Sequence, residues 1–155
     1  MVATPLQSTQ SSGIIGLIEE FNAYYHGSKV VFDIFHLFKE KYPTRVACEW
    51  PSTFISNAYA FYEFDFFIKE YLLYAKSHHP ELYNELKNDY MFKLVYQTIR
   101  RNFGNMISQY EKKYDELVKT NKSGWSTSKH SEIYNTLLPT LQSNRFQVIE
   151  ADFLK

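Results

Sequence analysis

The chain has 155 residues, its 17 Lys and Arg balance 17 Asp and Glu, and 18% of its residues are aromatic. This length suits one domain, and the balanced charge excludes a global field that would attract nucleic acid or an anionic membrane. With only 5 Gly and 5 Pro, the chain lacks the turn-rich pattern of a β-sandwich or barrel. The sequence therefore predicts an all-α fold, a single helical-bundle-like domain of six or seven helices over residues 13–155 around a central helix at about 51–77.

Residues 1–12 are rich in Ser, Thr and Gln and have few apolar groups, which predicts a flexible N-terminal tail. This segment has neither the basic start nor the apolar stretch of a signal peptide. A single cysteine, Cys48, excludes an internal disulfide framework. We therefore expect a cytoplasmic protein.

Two helices are predicted before the central one. Apolar residues recur at helical spacing after Gly13, and Gly27 is placed as a C-terminal stop. Ser28 can cap a second helix, and this helix is predicted to end at Tyr42, because Pro43 disfavours helical geometry in the residue before it.

Pro51 is predicted to open the central helix, since proline suits the first turn. Glu63 lies on one polar edge of this helix and Asp65 and Lys69 lie on the other, and the two edges leave two apolar faces. These charges exclude a membrane span. Asp65 and Lys69 are one turn apart, so we expect an ion pair rather than acid–base catalysis by Asp65 and Glu63, whose side chains diverge on a helix.

After a break at residues 78–80, Asp89 is predicted to cap a helix that ends at a joint formed by Gly104 and Asn105. A further amphipathic helix follows this joint. The polar stretch 120–131 then predicts a loop that contains Trp125, and this side chain either contacts a partner or folds back as a lid over the core.

The last part of the chain is also predicted to be helical. Ser131 is placed to cap a helix that Pro139 ends or kinks. Residues 143–155 predict a terminal helix.

We find no residues with catalytic or metal-ligand spacing. His78 and His79 precede a proline in a turn, whereas helical zinc ligands need i,i+4 spacing. His36 is expected in the core or at its boundary, and Cys48 is expected to pack as a small hydrophobe. Phosphate-binding glycine loops are missing from the sequence. The prediction is a protein that is not an enzyme and that has no metal or cofactor.

The most distinctive basic element is the pair Arg100 and Arg101, which have no acidic residue at i−4 or i+4. Basic groups without local counter-charges are good candidates for binding phosphates, and neighbouring Tyr and Phe could stack on bases. We therefore predict RNA contacts by Arg100 and Arg101, with Lys112, Lys113 and Arg45 as lower-ranked members.

The segment PSTFISNAYA, residues 51–60, resembles the start of a helix in the small all-helical subunits of type III-B (Cmr-type) CRISPR RNA-silencing complexes. That family has Pro-Ser, one or two apolar residues and Asn-Gly at this place, with Ala and Phe further on and a Lys after the helix. Here Lys76 follows, and Ala58 stands where the family prefers Gly.

This resemblance implies a non-catalytic subunit of a ribonucleoprotein that stacks head to tail on copies of itself. It would help to hold crRNA and target RNA beside other subunits, with no fixed RNA-binding motif. The alternative is a structural assembly protein, such as a viral or filament subunit, whose many Tyr and Phe serve protein contacts.

Overall fold

A computed structural model describes residues 12–121, 124 and 126–155. This part of the chain contains eight α-helices and one short 3-10 helix but no β-strand, which confirms the all-α prediction. The α-helices are α1 (Gly13–Asp33), α2 (Phe35–Lys41), α3 (Val46–Ala58), α4 (Ala60–His78), α5 (Pro80–Asn88), α6 (Tyr90–Thr120), α7 (Glu132–Leu141) and α8 (Gln147–Phe153), and the 3-10 helix is Asn144–Phe146. If α3 and α4 are counted as one bent helix, the total is seven, within the predicted range.

The core is built mainly from aromatic side chains of α1, α3, α4 and α6. Phe54 of α3 stacks on Tyr110 of α6 with ring centroids 4.3 Å apart. Phe21 of α1 contacts Phe61 of α4 and Phe103 of α6, with 5.7 Å between centroids in each pair. Ring pairs of this kind contribute about 0.5–1.5 kcal/mol beyond the burial of their area. Much of the aromatic surplus therefore stabilises the core.

Neither glycine that was predicted to interrupt a helix does so. α1 runs through Gly27 to Asp33, and α6 runs through Gly104 to Thr120. A glycine inside a helix costs about 1 kcal/mol relative to alanine. At Gly104 an added Cβ would lie 3.8 Å from the Phe61 ring, so this glycine is packed against the core, and the burial of the helix face outweighs the propensity.

Ser28, predicted to cap the second helix, is instead buried within α1, and the break comes at Ile34. The indole Nε1 of Trp50 donates a 3.0 Å hydrogen bond to the carbonyl of Val31 in the last turn of α1. Carbonyls in a last turn lack partners within their own helix, so the indole satisfies one of them. The end of α1 thus involves a residue of α3 rather than a local stop signal.

The predicted central helix begins earlier than expected and is divided in two. α3 starts at Val46, so Pro51 lies inside the helix and is buried there. Tyr59 separates α3 from α4, and its carbonyl accepts a 3.1 Å bond from the N–H of Tyr62, an i to i+3 bond of the 3-10 type. The bend lets the two halves pack against different neighbours, since α3 contacts α2 and α4 contacts α5 and α7.

Helix ends that were predicted from capping residues and from Pro43 agree better with the structure than those predicted from glycines. Asp89 accepts backbone hydrogen bonds of 2.8 and 3.0 Å at the start of α6, and Ser131 accepts one of 3.3 Å at the start of α7. α2 ends before Tyr42, as the proline at position 43 predicts. Pro139 does not end α7, which continues to Leu141.

The C-terminal segment is firmly part of the core. Phe146 of the 3-10 helix and Ile149 and Phe153 of α8 are fully buried, in agreement with the predicted terminal helix. Buried apolar side chains of six helices, α1, α3, α4, α5, α6 and α8, form one cluster, so the described residues make a single domain. Trp125 and residues 1–11 lie outside the described residues, and the predictions of a partner contact or lid and of a flexible tail fall there.

Candidate interaction surfaces

Asp65 and Lys69 form the expected ion pair, with 3.0 Å between Oδ2 and Nζ, but the pair is buried rather than on a polar edge. Two distant side chains complete a cluster around it. Arg100 Nε of α6 donates a 2.8 Å hydrogen bond to Asp65 Oδ1, and Glu150 of α8 accepts from both Lys69 and Arg100. Two cations thus face two carboxylates, which is the condition under which buried charges are tolerated.

The charges of this cluster affect the pKa values of Tyr96 and Arg100. Tyr96 is buried and donates a 2.7 Å hydrogen bond to Asp65, and burial together with that carboxylate raises the pKa of Tyr96. Burial alone would lower the pKa of Arg100, but the carboxylates of Asp65 and Glu150 outweigh it and raise the pKa. Both shifts further stabilise the forms that these side chains already have at physiological pH, a charged Arg100 and a protonated Tyr96.

This arrangement corrects the reasoning about Arg100. The residue has no acidic neighbour on its own helix, yet it bonds to carboxylates of α4 and α8. Its side chain is only 33% exposed. Arg100 is consequently a structural residue that joins three helices, and the premise that it is free to bind a phosphate is wrong.

Lys113 and Arg45 also have partners within the protein. The Nζ of Lys113 lies 4.3 Å from the ring centroid of Phe35 and 5.1 Å from that of Phe32, so it makes cation–π contacts. Arg45 forms an exposed ion pair with Glu49, one turn away on α3. Both side chains would have to leave these contacts to bind a phosphate.

Arg101 and Lys112 remain exposed on α6, and neither forms an ion pair with any described residue. They are eleven residues apart, which brings them to the same side of a helix with a rise of about 17 Å between them. Lys119, which was not a predicted site residue, is exposed seven residues further along the same side. We call Arg101, Lys112 and Lys119 the α6 basic stripe.

An apolar groove lies on another side of the molecule, between α1, α4 and α7. It has two adjoining depressions of about 470 and 340 Å³, and both are lined by Glu63, Phe67 and Ile133. Phe67 is 53% exposed, and Tyr24, from the α1 side, is 41% exposed. α1 covers this face of α4 at Phe64, whose ring contacts Phe21 and Tyr24, but leaves it open at Phe67, which the sequence did not reveal.

The histidines and the cysteine do not assemble into a site. His78 and His79 are exposed, and so is His36, which was expected in the core or at its boundary; α2 has no buried residue at all. Cys48 is half-buried. Within the described ranges, no group of three or more His, Cys, Asp or Glu side chains could hold a metal ion.

Comparisons with known proteins identify no relative: no family model, no curated protein and no solved structure matches this chain. None of the helices in the described part of the chain is long and apolar enough to cross a membrane.

Proposed function

We propose that this chain is a non-catalytic small subunit of a multi-subunit ribonucleoprotein, of the kind that the resemblance at residues 51–60 implies, and that it contacts RNA through the α6 basic stripe. The observation that supports this proposal is the alignment of Arg101, Lys112 and Lys119 on one exposed side of a continuous helix. Phosphate contacts need charged side chains that reach solvent and are not held by carboxylates.

The stripe has the geometry of a backbone-tracking surface. Its end members are eighteen residues apart, a rise of about 27 Å on an α-helix, so they would engage separate phosphates of one strand. Asn105 and Ser108 are exposed between Arg101 and Lys112 and add uncharged hydrogen-bonding groups. Arg100 would act indirectly, by fixing α6 against α4 and α8.

The RNA contact can be tested by salt-dependent binding of a labelled single-stranded RNA of about 30 nucleotides. Each phosphate contact with a single strand contributes about −0.7 to the slope of log affinity against log salt. The double variant Arg101→Ala with Lys112→Ala should weaken binding of all sequences alike and make the slope shallower by about 1.4. The labelled RNA should remain intact throughout, since we propose no catalysis.

A matched control removes one Lys and one Arg elsewhere. Lys29 and Arg145 are exposed and each is paired with a carboxylate, and their double alanine variant should bind RNA with an almost unchanged slope. An equal loss in both double variants would indicate only an effect of net charge and would refute a contact by the stripe.

The second candidate is a structural assembly protein with no role in RNA binding, and the exposed apolar groove favours it, because large exposed apolar patches are typical of interaction sites. RNA binding that is absent, or that is unaffected by Arg101→Ala with Lys112→Ala while assembly with other subunits is lost, would favour this candidate.

A further inference from the structure

We propose that the groove between α1, α4 and α7 binds a basic amphipathic helix of a partner protein. This inference does not rest on the RNA contact by α6, because it concerns different residues and a different class of ligand. It gives the partner chemistry that a multi-subunit assembly would need on this side of the molecule.

The floor of the groove is apolar and comes from four helices, and Ile55 is the contribution of α3. Leu17 belongs to α1, Phe64 and Phe67 belong to α4, and Ile133 belongs to α7. Phe67 and Ile133 are 53% and 37% exposed, so each still has apolar surface for a partner to cover. A helix that presents apolar side chains at i, i+3, i+4 and i+7 buries them in grooves of this type.

The rim of the groove is acidic. Glu63 lines both depressions and Glu132 lines one of them, and neither forms an ion pair with a described residue. Glu20 lies at the rim as well. Lys, Arg and His are missing among the described lining residues. The carboxylates of Glu63 and Glu132 therefore favour an occupant with Lys or Arg beside its apolar anchors, because complementary charge selects the partner.

The same charges disfavour other occupants. Phosphate groups of nucleic acid or of an anionic membrane would be repelled by the rim. The chain's own residues 1–11 contain no Lys or Arg. A second copy could offer the exposed Tyr90 and Met91 of α6, but these are flanked by Asp89 as well as by Lys93, so that patch supplies no net positive charge.

The test uses two fluorescent helical peptides of about 18 residues, with Leu at the i, i+3, i+4 and i+7 spacing and either Lys or Glu at all other positions. Fluorescence anisotropy with the full chain should show that the Lys peptide binds at least tenfold more tightly than the Glu peptide. Phe67→Ser should weaken binding of the Lys peptide at least tenfold. Exchanging both carboxylates, as Glu63→Lys with Glu132→Lys, should reverse the preference between the two peptides.

Tyr74→Ser is the matched control. Tyr74 is an aromatic residue of the same helix with 57% exposure, but it does not line the groove, so this variant should bind the Lys peptide like the unaltered chain. Equal binding of both peptides, or equal losses in Phe67→Ser and Tyr74→Ser, would overturn the proposal. Self-association that rises with protein concentration and disappears in Phe67→Ser would assign the groove to a second copy and would overturn it too.

Discussion

On the inner face of α4 the charged side chains of Asp65 and Lys69 are almost completely buried, whereas on its outer face the aromatic side chains of Phe67 and Tyr74 are more than half exposed. Four of the six buried residues of α4 are apolar, so the usual amphipathic pattern holds on this helix, and the two buried charges and the two exposed rings are exceptions to it. The inner charges are tolerated because α6 and α8 supply their counter-charges. The ring of Phe67 lines the open groove, and the ring of Tyr74 stacks on His78 of the same helix with 4.3 Å between centroids. The difference indicates that the burial of these four residues follows their available partners and not their hydrophobicity.

The largest loss of stability is expected from removing one charge of the buried cluster of Asp65, Lys69, Arg100 and Glu150. Lys69→Met should lower the free energy of unfolding by about 3–5 kcal/mol, because it leaves the carboxylates of Asp65 and Glu150 with one cation instead of two in a buried site. Urea unfolding measures this loss. Lys29→Met removes a lysine from an exposed i,i+4 pair and should leave the free energy of unfolding almost unchanged. Similar values for both variants would contradict the buried character of the cluster.

A smaller effect on stability is expected at Asp152 of α8. Its carboxylate accepts a 2.6 Å hydrogen bond from Tyr83 and forms an ion pair with Lys87 at 3.0 Å. The hydrogen bond from Tyr83, followed by the contacts with Lys87, lowers the pKa of Asp152. Asp152→Asn should cost roughly 1 kcal/mol at pH 7.

The pH dependence of this loss has a definite sign. The lowered pKa means that the Asp152 carboxylate stabilises the fold above its unfolded pKa of about 3.9, and that this contribution disappears as the pH falls through the lower folded value. The difference between the chain and Asp152→Asn should therefore be constant from about pH 5 to 8 and shrink below about pH 4. A difference that grows on acidification would show that the carboxylate does not stabilise the folded state.

The smallest effect on the free energy of unfolding is expected from substitutions on the outer face of α4. Phe67→Ser and Tyr74→Ser should each change the free energy of unfolding by at most about 0.5 kcal/mol, since both rings remain largely in solvent. Phe61→Ala, on the buried side of α4, should cost about 3–5 kcal/mol in the same measurement. If Phe67→Ser cost as much as Phe61→Ala, the outer face would be part of the core and the groove would not be an open surface.

Features that depend on nearby residues were predictable from the sequence. The caps at Asp89 and Ser131 and the helix end before Pro43 follow from backbone groups within three residues, so local chemistry decides them. The all-α class follows in the same way from the scarcity of glycine and proline.

Features decided by distant residues were not predictable. Arg100 meets Asp65 across 35 positions of sequence and Glu150 across 50, so an i±4 search could not find its partners. α6 continues through Gly104 where it lies against Phe61 of another helix, a contact that the local sequence does not indicate. For the candidate surfaces, the sequence indicated Arg101 and Lys112, but the groove arises only when residues of α1, α3, α4 and α7 come together.

The bond between Lys69 and Glu150 has a consequence for biosynthesis. The two residues are 81 positions apart, so at translation rates of about 5–20 residues per second the lysine exists for about 4–16 s before its glutamate is made. Once Arg100 has also been made, the cluster has two cations and only the carboxylate of Asp65, and the nascent chain still lacks the three buried side chains of the C-terminal segment, Phe146, Ile149 and Phe153. A ribosome-bound chain that stops before residue 146 therefore cannot complete its core, and residues 146–153 bring both the missing carboxylate and the missing apolar surface.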